Sequence, residues 1–162
     1  MEDKVWYEFV HLKYGDCYLC HYMVAQRSLR KWVKILTLIF STSGILGWTV
    51  WKQAPVISCI LVSIVQLFHL VENQVILSEA DINKLAELRN LYFKQCNKIE
   101  KLWLDYRASR LTEEQVTERF FKFREEAQKI EALDNKLNVK PRKKLIMKAE
   151  VETNNYITQY HS

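Results

Sequence analysis

At 162 residues the chain has room for one domain with an appendage. Its 3 glycines and 2 prolines exclude a fold of many short, turn-linked strands and favour helices. The net charge of +5 suits anionic partners, whether lipid headgroups or nucleotides, and the four cysteines (Cys17, Cys20, Cys59, Cys96) are too scattered for a disulfide framework.

Residues 1–31 form a first, amphipathic segment. Val5, Phe9, Leu12, Leu19, Tyr22 and Met23 recur at helical spacing, with an expected interruption at Gly15-Asp16. A helix with that stripe can lie on a membrane surface or cap its own bundle. Within it, Cys17-Tyr18-Leu19-Cys20-His21 matches C-x-x-C-H, the c-type haem attachment pattern. No cleavable signal peptide is expected ahead of it, and such attachment occurs on exported chains. His11 and His21 with Cys17 and Cys20 supply zinc-ligand types, but no second C-x-x-C completes a site. Thiols on an amphipathic helix, with no cofactor, is the expectation.

Residues 32–77 carry the strongest hydropathy signal. No charged residue occurs between Ile35 and Trp51, or between Ala54 and Val71. Trp32 to Trp51 is long enough to cross a hydrocarbon core of ~30 Å at ~1.5 Å per residue. Lys52-Gln53-Ala54-Pro55 then reads as a turn into a second span ending between Val71 and Leu77. Arg27, Arg30, Lys31 and Lys34 precede this hairpin, so both termini are expected in the cytoplasm of a multi-pass inner-membrane protein. On the second span, Ser63, Gln66, His69 and Asn73 share one side. Buried polar groups of this kind serve either interhelical hydrogen bonds or a water-filled path. The first span offers Thr37, Ser41, Gly44 and Gly47 for close packing. Two helices cannot enclose water, so a pore requires a homo-oligomer; four subunits, each contributing one inner helix, would close a narrow one.

Residues 78–162 read as a helical domain. Ser78 and Asp81 form an N-cap signature, followed by a seam of Leu85, Tyr92, Cys96, Ile99, Trp103 and Tyr106. Thr112 with Gln115 makes a capping box ahead of Val116, Phe120, Phe123, Ala127, Ile130 and Leu137, which completes a helical hairpin. Pro141 opens a short last helix with Leu145, Ile146, Ala149, Ile157 and Tyr160. Around it lie Lys136, Lys140, Arg142, Lys143, Lys144 and Lys148, six cations within thirteen positions. They form a solvated face, a lipid contact or a site for a nucleotide or oligonucleotide. No Gly-rich phosphate loop, G-x-S-x-G or H-E-x-x-H motif is present, so no enzyme is expected.

The fold class expected is therefore an all-α membrane protein: amphipathic segment, transmembrane hairpin, cytoplasmic helical hairpin and short C-terminal helix. This order of parts, with Trp6, Tyr7 and Tyr22 leading through Arg27 and Arg30 into the two-span hairpin, resembles the SLATT family of bacterial anti-phage effectors. The resemblance covers about residues 5 to 135 and rests on layout. It implies an oligomeric channel controlled by the product of a partner nucleotidyltransferase. Among such systems the Hailong type, whose DNA-oligomer ligand holds the channel shut, would suit the basic cluster. The alternative expectation is a membrane-anchored scaffold that docks a cytoplasmic partner through its helical domain.

Overall fold

The computed structural model describes residues 1–46, 63, 66 and 76–161. Among them the regular structure is entirely α-helical: α1 (Glu2–Leu46), α2 (Glu79–Arg107), α3 (Glu113–Leu137) and α4 (Lys143–His161). The chain divides into two compact units, one made of Met1–Met23 with Asn83–Ser162, the other of Val24–Ile82.

The first unit is an up-down-up-down helical bundle. In α1, Val5, Phe9, Leu12, Asp16, Leu19 and Met23 alternate spacings of four and three, and all are buried. In α2 the same alternation runs through Leu85, Arg89, Tyr92, Cys96, Ile99 and Trp103. Such a seam lets two helices interdigitate along their length. The pair is antiparallel: Asp16 meets Arg89 at 2.9 Å, while Trp6 packs on Trp103 with ring centroids 4.7 Å apart. Val116 and Phe120 of α3 join Val5, Phe9, Ile99 and Trp103 in one apolar cluster. Burying each large side chain there is worth roughly 1.5–3 kcal/mol.

The expected break at Gly15-Asp16 does not occur, because tertiary contacts use both residues inside an unbroken helix. A Cβ on Gly15 would stand 2.5 Å from Cε1 of Tyr92, so the hydrogen is what admits that ring. Asp16, nearly fully buried, has its carboxylate held by the Arg89 guanidinium. A helix interior pays for glycine with about 1 kcal/mol of propensity, which the α1/α2 packing offsets.

The caps follow the sequence closely. Ser78 Oγ accepts from the Asp81 N–H at 3.1 Å and donates to its carboxylate at 2.7 Å. Thr112 and Gln115 form the reciprocal capping box of α3. Between them α2 ends in a Schellman motif: the Arg110 N–H bonds to the Asp105 carbonyl, the Ser109 N–H to the Tyr106 carbonyl, and Ser109 has φ 54°.

Within the second unit, Arg30 pairs with Glu79 at 3.2 Å. The membrane expectation is corrected here. Among the described residues no helix is long and apolar enough to cross a membrane. Arg30, Lys31 and Lys34 interrupt α1, leaving Ile35 to Leu46 uncharged. This weighs against a multi-pass inner-membrane protein with cytoplasmic termini, and against the transmembrane hairpin of the expected fold class. Most of the expected second span, together with its turn, lies outside the described residues.

Candidate functional site

The basic residues around Pro141 are carried by three successive pieces of chain. Lys136 sits in the last turn of α3, where a cation complements the helix dipole. Asn138 stops that helix in the left-handed region, with φ 45° and its N–H bonded to the Asp134 carbonyl at 2.9 Å. Lys140 and Arg142 occupy the connection, Lys143 and Lys144 the first turn of α4, and Lys148 the next turn. All are exposed except Arg142, which is half-buried.

Tyr18 of α1 holds this connection in place. Its hydroxyl donates to the Lys140 carbonyl at 3.1 Å and accepts from the Arg142 N–H at 3.2 Å. The Arg142 guanidinium lies over the Tyr22 ring, 5.2 Å from its centroid. Burial pushes the Tyr18 phenol up, so the hydroxyl keeps its donor proton. The cluster is thus mounted on a packed helix. The first turn of α4 contains no acidic residue. Cations at a helix N-terminus add to the positive dipole end, each at a cost of about 0.3–1 kcal/mol that an anion would relieve.

Beside the cluster runs a groove of about 560 Å³, lined by His21 from α1 and by Lys144, Met147, Lys148, Val151, Glu152 and Asn155 from α4. Met147 is 65% and Val151 60% exposed. The other side of α4 is anchored: Ala149 and Thr153 are buried, and Tyr156 packs on Phe9. His21 Nε2 reaches Glu152 at 2.7 Å, which ties α4 to α1 across the groove floor.

A second polar constellation lies at the far end of α4. Glu100 of α2 accepts from the Tyr156 hydroxyl at 2.9 Å and meets His161 Nε2 at 2.8 Å. The His161 imidazole is surrounded by Trp6, Phe9, Trp103 and Tyr156, with ring centroids 5.2 to 5.9 Å away. Burial, then the Glu100 contact, pushes the Tyr156 phenol up, which keeps it neutral and donating. This arrangement closes the bundle end, and His161 Nδ1 stays buried without a hydrogen-bond partner among the described residues.

The C-x-x-C-H segment is likewise absorbed by packing. Cys17 is buried, with its thiol pushed up by desolvation; Leu19 is buried; His21 Nε2 lies 2.7 Å from Glu152. A thioether to haem needs both sulfurs on one open face, and Cys17 offers none. His11 lines a different groove, with Phe120, Phe121 and Arg124. Among the described residues no group of three or more His, Cys, Asp or Glu side chains is placed to hold a metal ion.

Of the four residues expected to line a pore, Ser63 and Gln66 are helical and exposed, while His69 and Asn73 lie outside the described residues. Comparison of the chain with family models, curated proteins and solved structures finds no match. Residue spacing alone missed the groove and the Glu100–Tyr156–His161 contact. Ala149, Thr153 and Tyr156 did carry a signal, since their spacings of four and three mark the packed side of α4 and leave Lys144, Met147, Lys148 and Val151 outside.

Proposed function

We propose that this chain is a non-enzymatic docking scaffold whose helical bundle presents the outer face of α4 to an anionic partner. One observation carries the reading: Lys144 and Lys148 flank the exposed Met147 and Val151 on a helix whose opposite face is locked into the bundle. The remaining polar constellations support it, because Asp16–Arg89, His21–Glu152 and Glu100–Tyr156–His161 serve the fold. The nucleotide-controlled channel implied by the family resemblance requires two membrane spans. Among the described residues no helix is long and apolar enough to cross a membrane, and the docking reading needs none.

The test uses defined polyanions. Polyglutamate and a short single-stranded oligonucleotide should both bind at low salt, with affinity falling steeply as salt rises. The variant combining Lys140→Glu, Lys143→Glu, Lys144→Glu and Lys148→Glu should keep its helicity and melting temperature, because these side chains are exposed, yet lose both ligands. A wild-type protein that binds neither polyanion, by calorimetry at low salt, would sink the proposal.

A further inference from the structure

The groove between α1 and α4 has a shape and a charge pattern that point to one class of partner. Lys144, Met147, Lys148, Val151 and Asn155 recur at intervals of three, one, three and four, so they form one continuous stripe along α4. From the first to the last the helix rises ~16 Å, about three turns. The centre of the stripe is apolar and largely exposed, at 65% for Met147 and 60% for Val151. One wall is basic, through Lys144 and Lys148, and neither side chain forms an ion pair among the described residues. The single carboxylate in the lining, Glu152, lies 2.7 Å from His21 Nε2. A ligand therefore meets two free cations beside an apolar strip, with the one carboxylate of the lining set next to His21.

We infer that this groove receives an acidic amphipathic helix of a partner protein, its aliphatic side chains on Met147 and Val151 and its carboxylates against Lys144 and Lys148. Helix-in-groove recognition needs an apolar floor of a few turns and a rim that sets orientation, and both are present. Charge complementarity selects the acidic helix over a basic or neutral one. A phosphodiester strand satisfies the lysines, but the apolar lining, Met147 and Val151, offers no aromatic ring on which its bases would stack, whereas aliphatic side chains of a helix fit it directly. The inference rests on the docking-scaffold reading and specifies its partner.

The experiment measures anisotropy of a fluorescein-labelled peptide of roughly 14 residues, with leucines at i and i+4 and glutamates alongside, against the full-length chain. A scrambled peptide of identical composition, a single-stranded oligonucleotide and phosphatidylserine vesicles are the competitors. The expected result is that the striped peptide binds about tenfold tighter than the scrambled one, and that Val151→Asp and Lys148→Glu each weaken it by about tenfold. Both positions are exposed, so circular dichroism and melting should be unchanged; Met147→Gln provides a second, milder variant of the apolar floor. Equal binding of striped and scrambled peptides, indifference to Val151→Asp, or competition only by oligonucleotide or vesicles overturns the inference. If polyglutamate is still retained in those cases, the docking reading survives without the groove. Loss of all polyanion binding removes both.

Discussion

Gly15 shows how one missing methyl group sets the distance between two helices. Its α-carbon faces the Tyr92 ring, and the Cβ of any other residue would stand 2.5 Å from Cε1 and 2.7 Å from Cδ1. Real carbon contacts do not come that close, so either the ring or the helix must move. Gly15→Ala gains helix propensity of about 1 kcal/mol but overpacks the interface, and the expected net effect is a loss of about 1–3 kcal/mol in urea unfolding. Tyr92→Leu in the same chain should recover part of that loss, since the clash is with the ring. An alanine variant as stable as the parent would show that the two helices are not this tightly docked. One residue on, Asp16 is the only charged residue of α1 that is buried among the described residues, and its partner Arg89 sits at the matching position of α2. A polar pair at one seam position penalises a shifted alignment, because a slip would bury the carboxylate alone.

At the scale of elements, the helices begin where local chemistry says they should. Ser78 and Thr112 cap α2 and α3 through their own side chains, and these contacts reach no further than three residues. Capping is legible in sequence for that reason. The end of α2 is less economical. Ser109 occupies the left-handed position of the Schellman motif, φ 54°, which glycine adopts without the steric cost of a Cβ. Ser109→Gly should therefore stabilise the protein by about 0.5–1 kcal/mol, read as an upward shift of the denaturation midpoint with unchanged slope. A destabilised glycine variant would mean that the Ser109 side chain supports the turn. For α4 the local signals were weaker. Pro141 marks the boundary, but the helix starts two residues later at Lys143, after a connection fastened to α1 by Tyr18.

For the whole molecule, burial favours the neutral forms of several ionisable groups, Cys96 and Tyr92 among them. Desolvation raises the Cys96 thiol from 9.0 to about 12, and desolvation followed by Asp134 raises the Tyr92 phenol from 10.0 to about 12. Both pKa values are higher folded than unfolded, so their contribution to stability is complete below the unfolded values and lost as pH climbs through the folded ones. Stability should be flat on this account below about pH 9 and fall between about 9 and about 12. Cys96→Ala removes one of the two groups, and its urea midpoint should fall less steeply over that window. Equal slopes for parent and variant would place Cys96 in contact with water. The same burial takes Cys17 away from the open face that the C-x-x-C-H haem pattern would need.

Helix content, the caps and the apolar stripes of α1, α2 and α3 were determined by the sequence itself, since each depends on residues within a turn or two of one another. Val5, Phe9, Leu12, Leu85, Ile99, Trp103, Val116 and Phe120 carry that periodicity openly, and all of them reach the core. Three things were decided only by tertiary structure. Gly15-Asp16 reads locally as a break and becomes a contact because Tyr92 and Arg89, more than seventy residues away, complete it. His161 reads as a tail residue and becomes the closure of the bundle because Trp6, Phe9, Trp103 and Glu100 converge on it. The basic cluster reads as a solvated face, a lipid contact or a nucleotide site, and the groove beside it exists only because His21 and the outer face of α4 are brought side by side. Local free-energy terms leave their mark on neighbouring residues; a groove or a close approach is a property of which surfaces meet, and no single segment encodes it.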